Sequence, residues 1–295
     1  MLIISIYLFK EVFHLDIMFL VKAALLGLVE GITEFLPVSS TGHLIIFSNL
    51  IHFYNNADKA YVDMFSMVIQ LGAILAVVVL YRKKIMDTLI HLFPSRQISF
   101  TQSGFYFWLM ILISCLPGGI VVMLFNSSIK EKFFNPLTVA TALLIGAFLM
   151  LFAESKLSIK QDTPLEHTLI TPKKALIVGL LQVLSIIPGM SRSASTIIGG
   201  WLAGFSTVAA AEYSFFLAIP VMCGETVLNL LEIQGKLTPM QGLSLGIGFF
   251  VSFVVALIVM DSFIGFLKKK SMSAFAIYRI IFSFIVLGCG VLGLF

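Results

Sequence analysis

The sequence predicts an all-α polytopic membrane protein with six transmembrane helices and two re-entrant helical hairpins arranged as inverted repeats. Three observations lead there. Hydrophobic residues make up 59% of the 295 residues and charged residues only 12%, and several runs reach the roughly 20 apolar residues that cross a bilayer. Two further apolar runs are interrupted by proline and polar residues, near Pro37 and near Pro188. The same order of elements then occurs twice along the chain. The alternation of a membrane β-barrel is missing.

Taken in order, residues 18–36 are apolar apart from Lys22, Glu30, Thr33 and Glu34. Pro37 breaks them, and 41–53 form a second short piece. Together they read as a hairpin that enters and leaves on one side, which is tolerated at membrane depth when protein covers it. Spans follow at 62–81, at 105–125 with a kink expected at Pro117-Gly118-Gly119, and at 137–153. After a polar loop, residues 175–188 are apolar around a lone Gln182, and Pro188-Gly189 breaks them. Ser191-Arg192-Ser193 and a short piece at 194–205 complete a second hairpin, with spans near 213–231, 242–267 and 274–294. The chain reads as one membrane domain: an extension at 1–17, a first repeat at 18–153 and a second at 175–295. The extension lacks the basic start of a signal peptide, since its first charge, Lys10, follows the apolar stretch.

The two breaks overlay. Gly27, Glu30 and Pro37 fall on Gly179, Gln182 and Pro188 with one residue gapped, and Ser39-Ser40-Thr41 falls on Ser191-Arg192-Ser193. A hairpin plus three spans per half gives the halves opposite orientations, the plan of many transporters. Charge agrees with it. Arg82, Lys83, Lys84, Arg96, Lys156, Lys160, Lys173, Lys174 and Lys268, Lys269, Lys270 lie in alternate loops, against Lys59, Lys130, Lys132 and Lys236 opposite. The positive-inside rule puts the richer loops in the cytoplasm, both termini outside, and the first hairpin on the outer side. This clustering in short loops accounts for the net charge of +4 and excludes a nucleic-acid surface. Cys115, Cys223 and Cys289 lie in apolar runs without metal spacing and read as small core residues.

Chemistry concentrates at the breaks. Glu30 and Glu34 are four apart, so on a helix they share a face, and two carboxylates there repel unless a cation joins them or one is protonated. They form the candidate metal site, for an oxygen-seeking divalent cation, Mg²⁺ or Ca²⁺. A helix restarting near Ser39 exposes N–H groups suited to an anion. His43 lies within reach of Ser39 or Ser40, one of which is the candidate nucleophile. Arg192 offers a planar fork for phosphate; its bland alternative is an arginine snorkelling from a helix end. The neighbouring Ser39, Thr41, Gly42, Gly189, Ser191 and Ser193 are candidate substrate contacts, although hydroxyls in membranes also bond helix backbone. Gln70 and Asp63 read as interhelical hydrogen-bonding groups. A cation site, an anion cradle, hydroxyls and a histidine in one short stretch point to phosphate-ester chemistry within a membrane.

The stretch from Glu30 to His43, EGITEFLPVSSTGH, resembles the first signature of the undecaprenyl-diphosphate phosphatase family, also called bacitracin-resistance proteins, and Pro188 to Ser193, PGMSRS, resembles the second. The resemblance runs from about Met18 to the C-terminus. It implies a bacterial plasma-membrane enzyme, dependent on a divalent cation and with an outward-facing site. Such an enzyme removes the terminal phosphate of a polyprenyl diphosphate lipid and so recycles the cell-wall carrier and confers bacitracin resistance. On that reading Ser40, His43, Glu34 and Arg192 are catalytic, with Ser40 attacking phosphorus and His43 handling its proton, or water attacking under Glu34 or His43. The acid-phosphatase type of lipid phosphatase does not fit, because no histidine follows Arg192. A transporter or flippase of a phosphorylated lipid is the competing reading. Membrane lipids are the other expected partners; a homodimer is left open.

Overall fold

The computed structural model describes residues 17–53, 59–96, 98–133, 135–158, 163–230 and 237–291. The expected extension at 1–17 therefore lies outside the described residues except for Ile17, as do Lys160 and Lys236. Among the described residues the protein is helical and has no β-strand. The helices are α1 (Ile17–Thr33), α2 (Ser40–Leu50), α3 (Lys59–Leu80), α4 (Arg82–Ile90), α5 (Gly104–Phe133), α6 (Pro136–Leu157), α7 (Pro172–Gln182), α8 (Arg192–Leu202), α9 (Thr207–Leu230), α10 (Pro239–Leu267) and α11 (Ser273–Val291).

Six of these are long and apolar enough to cross a bilayer: α3, α5, α6, α9, α10 and α11. They carry their large apolar residues outward as well as inward. Leu112, Leu116, Ile120 and Met123 on α5, and Ile145, Phe148 and Phe152 on α6, are exposed, as a lipid-facing surface requires. The expected spans are all present. The second is longer than the reading at 105–125, because α5 runs on through Pro117 to Phe133. Proline inside a membrane helix is tolerated where neighbouring groups satisfy the freed backbone. A short helix not foreseen in the sequence, α4, carries the basic run from Arg82 to Lys84.

The four short helices α1, α2, α7 and α8 pair off around the two breaks. In both halves of the chain the order is short helix, break, short helix, three spanning helices. The packing partners also exchange between halves. Helix α1 packs on α10, the second span of the C-terminal half, and α7 packs on α5, the second span of the N-terminal half. Helices α6 and α11, the third span of each half, lie against each other.

Glycine makes these approaches possible. A Cβ placed on Gly27 would lie 2.5 Å from the Gly248 carbonyl oxygen, and one on Gly31 would lie 2.7 Å from that of Ser252. Two small residues four apart on α1 thus meet two small residues four apart on α10, the close-packing device of membrane helices. On the other side, a Cβ on Gly179 of α7 would lie 2.5 Å from the Ser114 carbonyl oxygen of α5.

Backbone cannot retreat as a flexible side chain can. Gly27→Leu should therefore lower the thermal midpoint of the purified protein in detergent, at a cost of about 1–3 kcal/mol. Gly224→Ala should leave it unchanged, since a Cβ there meets nothing within 4 Å. Equal midpoints for the two variants would refute the close-contact reading of α1 on α10.

Candidate active site

The first break begins where α1 runs out at Thr33. One further helical hydrogen bond, from the Glu34 N–H to the Glu30 carbonyl at 2.9 Å, keeps Glu34 one turn above Glu30. The chain then turns through Pro37 and reaches Ser39 with φ 72°, in the left-handed region that L-residues other than glycine rarely adopt. Ser39 caps α2, its Oγ accepting from the Gly42 N–H at 3.4 Å. The second break repeats this corner: Ser191 has φ 71° and caps α8, accepting from the Ala194 N–H at 3.3 Å. Gly189, just before it, has φ +100°, and a Cβ there would strike the Val139 carbonyl oxygen at 2.4 Å. Strained non-glycine corners of this kind persist only where surrounding structure holds them.

The two breaks meet. Ser40 donates to Glu34 Oε2 at 2.5 Å, and Arg192 donates to Glu34 Oε1 at 3.0 Å. The other arm of the Arg192 fork donates to the Ser214 carbonyl on α9 at 3.0 Å, and its guanidinium carbon lies 6.0 Å from the Phe35 ring centroid. Ser193 donates to the Leu36 carbonyl across the breaks at 2.8 Å. All this is enclosed: Glu34 is 8% exposed and Ser40 9%. Arg192 is therefore held in the interior and does not snorkel.

Glu30 differs from Glu34. It is fully buried, and neither carboxylate oxygen has a hydrogen-bond partner among the described residues. An orphaned buried carboxylate one turn from a second one suits a hard divalent cation. These two carboxylates are the candidate pair, since no group of three or more acidic, histidine or cysteine residues that could hold a metal gathers among the described residues. That number fits an ion that completes its shell with waters and substrate phosphate rather than one caged by protein.

His43 is buried but does not touch Ser40. Its Nδ1 lies 2.8 Å from the Ser39 carbonyl and its Nε2 2.6 Å from the Tyr278 hydroxyl. A carbonyl oxygen can only accept, so Nδ1 carries the proton and Nε2 accepts from Tyr278. The ring also stacks on Phe282, with centroids 3.9 Å apart. The sequence reading gave the Ser40 proton to His43; in the structure the Ser40 hydroxyl donates to Glu34 instead. His43 follows Ser40 by three residues along α2, but the partner comes from across the break, in the turn that follows α1.

The remaining sequence candidates also gather here. Thr41 is partly exposed in the first turn of α2, and Gly42 lies under Val139 of α6. Ser191 and Ser193 are 3.1 Å apart through their hydroxyls. Two residues escaped the sequence reading, Tyr278 and Arg279 on α11. Arg279 is fully buried and donates to the carbonyls of Gly189 at 3.1 Å and Met190 at 3.0 Å, with Pro37 and Ala142 at 3.5 Å. An arginine in the middle of an apolar span was the signal that could have found it.

The chain is similar to several named proteins. A protein from Ruminiclostridium cellulolyticum, named undecaprenyl-diphosphatase, is 50% identical over 281 residues, covering 95% of this chain and 99% of its own. An undecaprenyl-diphosphatase of Clostridium novyi is 50% identical over 279 residues, covering 92% and 96%. Undecaprenyl-diphosphatase 2 of Clostridioides difficile is 46% identical over 273 residues, covering 90% and 93%. The family profile described as bacitracin resistance protein BacA matches residues 23–285, which takes in both breaks, five of the spanning helices and the larger part of α11, and the chain belongs to that family.

Proposed function

We propose that this protein hydrolyses undecaprenyl diphosphate to undecaprenyl phosphate and inorganic phosphate, recycling the lipid carrier of cell-wall synthesis and conferring bacitracin resistance. The observation that carries the reading is the Ser40 hydroxyl presented to a carboxylate that Arg192 holds from the other break. Ser40 Oγ attacks the terminal phosphorus as its proton passes to Glu34. The bridging P–O bond breaks, undecaprenyl phosphate departs, and Glu34 hands the proton to the leaving oxygen. Water then attacks the phosphoserine and gives its proton to Glu34. Glu34 passes it to Ser40 Oγ as phosphate leaves.

Arg192 and the N–H groups at the start of α8 stabilise charge on the transferred phosphoryl group, so catalysis is mainly positioning and electrostatics. A bound Mg²⁺ or Ca²⁺, with Glu30 and Glu34 as its protein ligands, would neutralise phosphate charge. Thr41, Gly42 and Ser193 line the approach. His43, tied at both nitrogens, anchors the Ser39 corner and leaves proton transfer to Glu34. A transporter of the same lipid would use the broken hairpins but has no need of a serine hydroxyl aimed at a carboxylate. The site faces outward in the plasma membrane on the charge pattern of the loops.

Phosphate release from undecaprenyl diphosphate by purified protein tests the activity. Ser40→Ala should abolish phosphoserine formation and nearly all turnover. Arg192→Lys keeps the charge and loses the fork, and should cost about 10²–10³ in kcat, as loss of one oxyanion donor does. The double variant should be far from additive, because both act on one transition state. Near-parental turnover in Arg192→Lys would remove the second break from the mechanism.

Glu30→Gln should weaken metal activation first: the metal concentration at half-maximal turnover should rise by about tenfold or more, with partial recovery at excess cation. Turnover that a strong chelator leaves untouched would eliminate the metal. For orientation, a cysteine at position 269 should be shielded from an impermeant reagent added outside spheroplasts. Its labelling there would reverse the topology and turn the site inward.

A further inference from the structure

Two consecutive residues of α11 reach both serine corners, and neither reacts with the phosphate in the mechanism above. Tyr278 donates to His43 Nε2, and His43 Nδ1 donates to the Ser39 carbonyl. Arg279 donates to the carbonyls of Gly189 and Met190, which lead directly into Ser191. Its other terminal nitrogen lies 3.5 Å from the Pro37 carbonyl, just before Ser39. The guanidinium is fully buried, its acceptors are all backbone carbonyls, and no carboxylate pairs with it among the described residues.

Burying an arginine without a counter-ion is expensive, so the site must gain from what it holds. A peptide unit is planar and trans, with its N–H pointing opposite its carbonyl. By drawing the Met190 carbonyl toward α11, Arg279 turns the Ser191 N–H away from α11. That N–H donates to nothing among the described residues. The N–H groups of Arg192 and Ser193 follow it as the open first turn of α8. On the first break the same helix fixes the Ser39 carbonyl through His43, and with it the φ 72° corner that places Ser40 against Glu34.

We propose that Tyr278 and Arg279 are positioning residues of the phosphatase reaction. One helix thereby sets the serine corner that supplies the nucleophile and the serine corner that supplies the anion-binding N–H groups. The proposal rests on the serine-phosphatase reading above and adds a part of the machinery outside both signature stretches.

Tyr278→Phe tests it with the least disturbance, since the ring can keep its stack on Phe282 and His43 while only the hydroxyl is lost. Turnover of undecaprenyl diphosphate should fall about 10- to 100-fold in kcat, the scale of a small misplacement of reacting groups, with KM within about twofold. In ¹⁵N-histidine spectra of the full chain, the parent should show His43 as the Nδ1–H tautomer with a hydrogen-bonded Nε2, and Tyr278→Phe should keep the tautomer while the Nε2 resonance moves to that of an unbonded imidazole nitrogen. A merely structural residue would move neither the Nε2 resonance nor kcat alone. Arg279→Lys should lower kcat at least as much, and Arg279→Met more. Should the Arg279 variants fail to accumulate, Tyr278→Phe decides by itself. Parental kcat in Tyr278→Phe, or an unmoved His43 Nε2 resonance there, overturns the proposal. A parent protein that releases no phosphate overturns the underlying activity instead.

Discussion

Glu34 is gripped from two sides, by a hydroxyl on one oxygen and a guanidinium on the other, and the rest of the site is arranged around that grip. Its partners come from different helices: Ser40 opens α2 and Arg192 opens α8. Arg192 extends the connection to α9 through the Ser214 carbonyl. Breaking a buried pair by removing one partner costs about 3–5 kcal/mol, because a charge is left uncompensated. The pair therefore serves structure and chemistry together. It joins the two broken hairpins, and on the proposed mechanism it poises a base against a hydroxyl where little water can compete.

Broken helices at membrane depth create a second demand. Every carbonyl and N–H released at the breaks needs a partner, since hydrocarbon supplies none. Ser193 takes the Leu36 carbonyl and Arg279 takes those of Gly189 and Met190. Close turns take others, Val38 N–H to Leu36 and Met190 N–H to Ile187. The carbonyl side is thus largely satisfied by protein, while the donors at the head of α8 stay open. That imbalance leaves open N–H donors at the junction of the breaks without adding another charged side chain, and such donors favour an anion.

Much of this was legible in the sequence. The six spans follow from hydropathy, and the two breaks from proline among polar residues. Glu30, Glu34, Ser40 and Arg192 stood out because charge and hydroxyl clusters are costly in apolar runs, and the structure brings all four together. What stayed hidden depends on distance across the fold. Spacing along α2 put His43 within reach of Ser40, but only the packing of α11 shows that Tyr278 and the Ser39 carbonyl have claimed both ring nitrogens. Arg279 was overlooked for a different reason: one charge in a long apolar run barely alters hydropathy, although its burial cost marks it as clearly as that of Arg192. The true length of α5 was missed because the charged run Lys130-Glu131-Lys132 read as a loop, whereas the helix continues through it to Phe133.

The overlay of the two breaks explains how one framework yields one site rather than two. The left-handed serine caps match, Ser39 with Ser191, so the corner geometry is built twice. The next residue differs, Ser40 in one break and Arg192 in the other, and Glu30 overlays Gln182. Had both breaks kept their carboxylates, acidic clusters would face each other at close range in a poorly screened interior, where like charges strongly oppose ionisation. Arginine at the second corner replaces that repulsion with an ion pair to Glu34. Glutamine in place of a second buried carboxylate removes a charge that no cation would be needed to balance. On the proposed mechanism, nucleophile and acids are thus left to the first break and the phosphate-binding cation to the second, and neither break completes the chemistry without the other.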